Sequence, residues 1–394
     1  MESTAVIVAA ATRTPIGAFQ GALTPMTAPQ LGAAAIRGAL ASAQVAGADL
    51  QEVIMGCVLP AGLGQAPARQ AAMAAGVPTQ VPATTVNKMC ASGMRAIMLA
   101  ADAIRTGDTA LAVAGGFESM SNTPYLLPKA RAGMRMGHGE VLDHMLYDGL
   151  QSPFDGQLMG CFADDTARKY GFTRQDQDAF ATESARRAVD AMRRGAFAAE
   201  ITPLQVKGRK GEVLVSNDEK PPAVDLAKIP TLKPAFHKDG TVTAASSSSI
   251  ADGAAALVLL SGAEAQRRGT QPLARIVGYT SFAQDPAWFT TAPAGAIRKL
   301  LDRLRWRSDD VHLYEVNEAF AVVAMAAMHD VGFDHARINV NGGACALGHP
   351  IGATGARIVA TLVHALRARG GGRGIASLCI GGGEATALAV EVPS

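Results

Sequence analysis

The chain has 394 residues, of which 48% are hydrophobic, 18% charged and only 5% aromatic, and its formal net charge is +2 at pH 7. The length predicts two or three domains, and the composition excludes a disordered chain. The nearly balanced charge gives no reason to expect a nucleic-acid partner or a membrane surface, and no apolar run approaches the ~18 residues of a membrane span.

The N-terminal stretch MESTAVIVAAATRTP begins with an acidic residue and lacks the basic region and long apolar core of a signal peptide. We therefore expect a cytoplasmic protein. The cysteines form no CxxC pair and have no histidine spacing typical of a zinc site, so we expect free thiols and no metal. There are five of them: Cys57, Cys90, Cys161, Cys345 and Cys379.

Strands and helices alternate along the first 120 residues. Residues 3–11 predict a buried strand, Thr27 predicts the N-cap of an alanine-rich helix, and EVIMGCVLP predicts a second strand. From Thr84 the pattern is strand, Cys90, the helix SGMRAIMLAADAIRTG, and the strand TALAVAGG. This alternation predicts a layered α/β fold.

Residues 338 to 383 follow the same plan of strand, glycine-rich turn, helix, strand and glycines. We interpret the match as an internal duplication, although two ordinary βαβ units could also give it. In a duplicated fold the two reactive turns would face a common space.

The segment from residue 121 to 245 differs from both halves. It contains one clear helix, RQDQDAFATESARRAVDAMRRG, whose charges we interpret as solvated surface, and stretches such as KGRKGEV that predict turns and short strands. We predict a lid or substrate-holding insertion, followed by a domain junction at Ser246 to Ser249. The first half would then span residues 1–120 and 246–270, and the second half residues 271–394.

Two residues are candidates for nucleophilic catalysis. Cys90 lies where a strand gives way to a helix, and unpaired amides and the helix dipole stabilise a thiolate there. His349 lies in the rigid turn GGACALGHPIGATG, where an imidazole can take the proton of a nearby thiol. The alternatives are a small residue that packs a turn and a histidine that satisfies backbone groups.

Cys379 and Asn317 are weaker candidates. Cys379 ends the strand GIASLC before a glycine run, where backbone amides can point into a cavity, but alone it is more typical of a structural residue. Asn317 follows a predicted strand from Val311 to Val316 and could orient a water or cap a helix. The stretches GLGQAP and GATGAR lack the context of a dinucleotide site, and no P-loop motif occurs.

Six blocks resemble the thiolase family, in order and across nearly the whole chain: VNKMCASGM, GGFESMS, GTVTAASSSSIADGAAA, YEVNEAFA, NGGACALGHPIGATGAR and CIGGG. Within the family the chain is most similar to acetyl-CoA acetyltransferases. The resemblance implies two βαβ-rich halves in five layers, αβαβα, with a loop domain inserted in the first half. It also implies a homotetramer, since Ser121 to Met145 resembles the tetramer-forming loop of relatives.

The resemblance assigns a role to each candidate. Cys90 resembles the acylated nucleophile, His349 its base, and Cys379 the acid/base for the second substrate. Asn317 resembles the residue that holds a catalytic water and with His349 forms one oxyanion hole, while the amides of Cys90 and Gly381 form the other. The implied reaction is a reversible, ping-pong condensation of two acetyl-CoA into acetoacetyl-CoA and CoA through S-acetyl-Cys90, with no permanently bound cofactor.

Matching positions imply contacts to coenzyme A along the insertion and its borders: Leu150, Met159, Phe236, Ala244, Ser248, Ala319 and Phe320. Three positions depart from the family pattern. Leu158 replaces a common histidine and leaves the acyl chain length open. Lys220 becomes a possible phosphate or adenine contact in place of a missing arginine, and Cys345, where Ile or Val is more usual, is interpreted as core packing.

Three other readings stay open. A ketoacyl synthase would lack the second cysteine, so Cys379 favours a thiolase. A noncatalytic protein that binds acyl-CoA would have lost Cys90, His349 or Cys379, and this chain keeps all three. A thiolase of broader or longer 3-ketoacyl-CoA range is compatible with every motif.

Overall fold

The computed structural model describes residues 3–208 and 211–394. Arg209 and Lys210, within the predicted turn KGRKGEV, lie outside the described residues. The strands are β1 Val6–Arg13, β2 Gly17–Ala18, β3 Glu52–Gly56, β4 Ala83–Val86, β5 Leu111–Ser119, β6 Tyr125–Leu126, β7 Leu142–Asp143, β8 Leu204–Gly208, β9 Gly211–Val215, β10 Ala251–Ser261, β11 Ala274–Ala283, β12 Leu313–Val316, β13 Gly372–Ile380 and β14 Glu384–Val392.

The helices are α1 Ala28–Ala43, α2 Pro67–Ala74, α3 Ser92–Thr106, α4 Met159–Tyr170, α5 Arg174–Arg193, α6 Gly262–Arg268, α7 Ala292–Leu304, α8 Ala321–Val331, α9 Ala344–Leu347 and α10 Ile351–Arg367. None of the helices in the described ranges is both long and apolar enough to cross a membrane.

Local signals place several of these elements. Thr27 is the N-cap of α1, as predicted, and a capping box forms because its hydroxyl accepts from the N–H of Gln30 while the Gln30 side chain accepts from the N–H of Thr27. The strand predicted from residue 338 is wrong. Only Ile338 pairs, in a single parallel bridge with Tyr314, because Asn339 turns into the left-handed region at φ 46°.

The main sheet has the strand order β12-β13-β14-β11-β1-β10-β5-β3-β4, with β2 on β10. In the first half, β3 and β5 are parallel, while β10 is antiparallel to both β5 and β1. The second half repeats this pattern, because β12 and β13 are parallel and β14 is antiparallel to both β13 and β11. The repeated pairing confirms the predicted duplication, whereas the boundaries at residues 120, 245 and 270 remain predictions.

Alternation along the strands produces five layers. On β1, Val6 and Val8 face a central hydrophobic cluster that contains α3 and α10, and Ile7 and Ala10 face an outer cluster that contains α1 and α2. The second half of the sheet packs its outer face on α7 and α8. The sequence of layers is therefore αβαβα, with α3 and α10 in the middle.

Glycines bring the central helices into backbone contact. A Cβ atom on Gly93 would lie 2.9 Å from the backbone nitrogen of Ala356, and one on Gly355 would lie 2.4 Å from that of Met94. A Cβ on Gly116 of β5 would lie 2.0 Å from the carbonyl oxygen of Gly352. Because Gly93 and Gly352 each lie three residues beyond a predicted catalytic residue, this contact brings the two turns together.

Candidate active site

Cys90 lies in a tight turn between β4 and α3. Met89 adopts the left-handed conformation at φ 48°, and its N–H donates to Oδ1 of Asn87 over 2.9 Å. The hydroxyl of Ser92 accepts from the N–H of Lys88 at 2.9 Å and donates to the carbonyl of Met89 at 2.7 Å. These bonds fix the backbone that carries the thiol, two residues before the first residue of α3.

Two backbone amides point at the Cys90 sulfur. Burial raises the pKa of the Cys90 thiol to about 11, and the N–H groups of Gly381 and of Cys90 itself oppose this rise by donating toward the sulfur. Glu118 adds a smaller increase. Cys90 is therefore a thiol in the free protein and needs a base, and the Gly381 amide lies beside it, where the family resemblance implied.

His349 is held as a neutral imidazole with one free nitrogen. Its Nδ1 lies 2.7 Å from Oγ1 of Thr354, whose own hydroxyl proton is donated to the carbonyl of Pro350 over 2.9 Å. Nδ1 therefore carries the ring proton, and Nε2 is left unprotonated. Burial, helped by the Arg357 guanidinium, lowers the pKa of His349 to about 3. Nε2 is buried and has no protein partner among the described residues.

Asn317 carries a buried side-chain amide with no hydrogen-bond partner among the described residues. It follows β12, its N–H donates to the carbonyl of Ser377 over 3.0 Å, and only 1% of its surface is exposed. Neither Oδ1 nor Nδ2 has a protein partner in the described part of the chain. A helix cap is excluded as its role because the N-cap of α8 is Phe320. A buried amide of this kind fits a bound water or a substrate oxygen.

Cys379 lies next to Cys90 at the carboxyl end of β13, as predicted. It is fully buried, and burial raises the pKa of its thiol well above the usual range. Negative charge on Cys90 raises it further. In the glycine turn that follows, Gly383 is closely packed, since a Cβ there would lie 2.4 Å from the carbonyl oxygen of Gln284.

The predicted junction at Ser246 to Ser249 connects the catalytic turns. Ser247 bridges to Phe320, the N–H of Ser248 donates to the carbonyl of Ala319 over 2.9 Å, and the N–H of His349 donates to the carbonyl of Ser249 over 2.9 Å. One short segment therefore fixes the Asn317 turn relative to the His349 turn.

Most of the residues predicted to contact coenzyme A line cavities. One cavity of about 260 Å³ contains His349 and five of those residues, Leu150, Met159, Phe236, Ser248 and Phe320, together with Leu158. A second cavity, of about 300 Å³, contains Lys220, Ala244 and Cys345. Ala319 lines neither cavity; its described contact is the bond from Ser248.

A hydrogen bond joins the Lys220 side chain to the backbone of Cys345. The Nζ of Lys220 donates to the carbonyl oxygen of Cys345 over 2.7 Å, and burial lowers the pKa of the ammonium. The Cys345 side chain is 4% exposed, with its sulfur 3.8 Å from the carbonyl oxygen of Glu318. Lys220 thus holds the segment that leads to His349, and Cys345 is a core residue.

Sequence reasoning missed Thr354, Arg357 and Glu118. Thr354 lies five residues after His349, so a hydroxyl one turn into the following helix was an available signal. Arg357 and Glu118 are charged residues inside apolar segments, and each is no more than 2% exposed. Such residues are rare in cores and indicate a specific role.

Comparison with known proteins identifies relatives along the full length. A family model described as the thiolase N-terminal domain matches residues 6–263, and one described as the thiolase C-terminal domain matches residues 270–392. An acetyl-CoA acetyltransferase of Pseudomonas aeruginosa is 50% identical over 97% of this chain and 98% of its own. One of Cupriavidus necator is 47% identical over 98% of this chain and 99% of its own.

Solved structures agree with the family match. The acetyl-CoA acetyltransferase of Bacillus anthracis superposes with a TM-score of 0.96 at 43% identity, covering 98% of both chains. The Acat5 thiolase of Ascaris suum, solved in complex with coenzyme A, superposes with a TM-score of 0.94 at 41% identity, covering 98% of this chain and 100% of its own. The five-layer fold predicted from the sequence is therefore confirmed.

Proposed function

This chain belongs to the thiolase family, and we propose that it is an acetyl-CoA acetyltransferase, which condenses two acetyl-CoA into acetoacetyl-CoA and CoA and also catalyses the reverse cleavage. One observation carries the assignment of residues. The partly buried Cys90 thiol lies beside a second, buried thiol, Cys379, and its turn is brought by glycine contacts to the turn of His349, a neutral imidazole whose Nε2 is free.

In the first half-reaction Cys90 is the nucleophile. His349 Nε2 takes the thiol proton, the sulfur attacks the thioester carbonyl of acetyl-CoA, and the resulting oxyanion accepts from the N–H groups of Gly381 and Cys90. The carbon–sulfur bond of the substrate then breaks, and the CoA thiolate takes the proton back from His349. The product is S-acetyl-Cys90, with CoA free to leave.

In the second half-reaction Cys379 is the base. The Cys379 thiol gives its proton to His349 Nε2, and the thiolate then removes an α-proton from a second acetyl-CoA, whose enolate oxygen accepts from the protonated His349 and from a water held on Asn317. The enolate carbon attacks the acetyl carbonyl, acetoacetyl-CoA forms, and the Cys90 sulfur leaves and takes the proton from His349, while Cys379 keeps the α-proton and is again a thiol.

Coenzyme A thioesters are the substrates, and they need no permanently bound cofactor for this chemistry. We place the pantetheine arm in the 260 Å³ cavity beside Leu150, Met159 and Phe236. The second cavity is lined by Ala244 and Lys220, two more of the residues expected to contact coenzyme A. Leu158 lines the first cavity with 40% of its surface exposed, which favours a thiolase of longer 3-ketoacyl range as the second candidate.

A tetramer, built as a dimer of dimers, is proposed for the assembly. Strand β4 is at the edge of the main sheet, and no strand in the described part of the chain pairs with its outer side. The segment from residue 121 to 145 exposes large apolar side chains, among them Tyr125 at 68% and Met136 at 99%. We also propose a cytoplasmic location, because two reduced catalytic thiols require a reducing compartment.

The activity is tested by mixing the purified protein with acetoacetyl-CoA and CoA and following the loss of the enolate absorbance. Cys90→Ser is the test variant, and Cys161→Ser, a partly exposed cysteine in α4, is the matched control. Cleavage by wild type and by Cys161→Ser but not by Cys90→Ser supports the proposal. Equal rates for wild type and Cys90→Ser would refute it.

The covalent step has a separate readout. Mass spectrometry after incubation with acetyl-CoA should find one acetyl group, located on Cys90. An active enzyme whose Cys90 stays unmodified after rapid quenching would contradict the acyl-enzyme mechanism. Rates on acetoacetyl-CoA and 3-ketohexanoyl-CoA then separate the short-chain from the longer-chain candidate.

A further inference from the structure

Glu118 is a buried carboxylate for which the mechanism above has no use. Along β5 the side chains of Leu111, Val113 and Phe117 face the outer layer, whereas Ala112 and Ala114 face the central layer. Alternation therefore points Glu118 toward the central layer, and it is 1% exposed there.

Backbone amides from two distant segments donate to this carboxylate. The N–H of Val58 lies 2.9 Å and the N–H of Gly352 lies 3.0 Å from Oε2, and the N–H of Leu59 lies 3.2 Å from Oε1. The Cys57 thiol also points at Oε1 over 3.6 Å. The fit is close, because a Cβ on Gly352 would lie 2.6 Å from Oε2.

Both segments lead to catalytic turns. Gly352 is in the first turn of α10, three residues after His349. On the other side, the carbonyl of Val58 accepts from Nδ2 of Asn87 over 3.3 Å, and Oδ1 of Asn87 accepts from the N–H of Met89, the neighbour of Cys90. The Glu118 carboxylate therefore connects the turn of the nucleophile to the turn of the base.

Stability does not explain a carboxylate at this position. None of the ion pairs in the described residues includes Glu118, so no positive charge offsets its burial. Burial raises the pKa of Glu118 to about 7, and the amides of Val58 and Leu59 oppose that rise. An uncharged residue would avoid this desolvation cost, although it could not accept several amide hydrogens at once.

We propose that Glu118 is a positioning residue for acyl transfer, which fixes the distance between the Cys90 sulfur and His349 Nε2 by holding the backbone of both turns. This inference rests on the proposed function. Glu118 does not touch the substrate, and its effect reaches the reaction through Gly352 on one side and through Val58 and Asn87 on the other.

Glu118→Gln and Glu118→Asp test the proposal. Gln turns an NH₂ group toward N–H donors and cannot satisfy Val58, Leu59 and Gly352 together. We expect kcat for acetoacetyl-CoA cleavage to fall about 100-fold, the size of effect that a misplacement of ~1 Å produces, with the KM for CoA changed less than about threefold. Asp keeps both acceptor oxygens on a shorter stem, so it should restore part of the lost kcat.

Glu200→Gln is the control for a purely structural effect. Glu200 is equally buried, at 1% exposed, but accepts from Arg13 Nε over 2.6 Å and from the Thr361 hydroxyl over 3.1 Å, and no hydrogen bond among the described residues joins it to either catalytic turn. Its loss should lower the melting temperature while kcat stays within about threefold of wild type. A folded Glu118→Gln with wild-type kcat, or one that loses no more kcat than Glu200→Gln, would overturn the proposal.

Alkylation of Cys90 by iodoacetamide, followed by mass spectrometry, gives a readout that needs no turnover. A displaced His349 accepts the thiol proton less well, so alkylation should slow about tenfold or more in Glu118→Gln. An unchanged alkylation rate would refute the positioning role of Glu118 and leave the proposed function untouched. An inactive wild type would instead sink the proposed function. If Glu118→Gln does not fold, Glu118→Asp decides, because a kcat loss of about tenfold at constant KM supports the inference and a wild-type kcat overturns it.

Discussion

Replacing Asn317 with alanine should separate catalysis from stability. The Asn317 side chain is buried, yet neither of its polar atoms bonds to a described protein group, so Asn317→Ala removes no protein hydrogen bond. Its proposed task is to hold the water that stabilises the enolate oxygen. Loss of one oxyanion donor costs ~10²–10³ in kcat, or about 2.7–4 kcal/mol of transition-state stabilisation.

The neighbouring Asn339 supplies the contrast. It is 2% exposed, but its amide makes three bonds: Nδ2 donates to the carbonyl of Val316 and to Oε1 of Glu318, each over 2.8 Å, and Oδ1 accepts from the N–H of Val316 over 2.9 Å. At ~1 kcal/mol net for each bond, Asn339→Ala should lose about 3 kcal/mol of stability. Asn317→Ala should lose much less, chiefly through packing.

The assay combines steady-state cleavage of acetoacetyl-CoA with melting temperatures measured at one protein concentration. Asn317→Ala should melt close to wild type while its kcat falls by the amount given above, whereas Asn339→Ala should melt clearly lower. If Asn317→Ala retains wild-type kcat, or is destabilised as much as Asn339→Ala, the assignment of Asn317 to the oxyanion water is wrong.

Three further predictions follow from buried groups. Folding lowers the pKa of His349 from 6.5 to about 3. The stability linked to this shift is fully present above pH 6.5 and is lost by ~1.4 kcal/mol per pH unit as the pH falls toward 3. The melting temperature of His349→Gln should therefore rise relative to that of wild type as the pH drops. A constant gap between the two would contradict the neutral imidazole. Gly355→Ala places a Cβ 2.4 Å from the Met94 nitrogen and should destabilise by about 1–3 kcal/mol, which a wild-type melting curve would exclude. Leu158→Ala widens the cavity that holds His349, so kcat/KM for 3-ketohexanoyl-CoA relative to acetoacetyl-CoA should rise about tenfold; an unchanged ratio means that another residue sets chain length.

The sequence predicted the elements whose signals are local. The cap at Thr27, the helix after Cys90 and the strand that ends near Cys379 each depend on a few adjacent residues, and all three are observed. Helix α4 was missed because Leu158 occupies its N-cap without a side-chain bond, so the usual start signal is absent.

Contacts between distant segments account for the rest. The hydrogen bond from Gly352 to Glu118 joins residues 234 positions apart, and no local sequence pattern predicts a contact at that separation. No strand continues beyond Ile338, because the side-chain amide of Asn339 bonds to Val316 and Glu318 and the backbone does not continue the strand pairing. The nearness of Gly381 to Cys90 was expected only from the resemblance to a family, since it depends on how the two halves pack.

The glycine contacts of α3 with α10 also determine how the molecule opens. Gly93, Gly352 and Gly355 bring main chain against main chain in the middle layer, with one half of the main sheet on either side, so a small local fluctuation should not separate the two helix ends. We therefore expect amide protons there to exchange with solvent only when the whole domain opens, and to be among the slowest to exchange in a hydrogen-exchange experiment. The turns that carry Cys90 and His349 should therefore separate only when the two halves of the fold come apart. The same contacts that fix the catalytic geometry then also make unfolding cooperative.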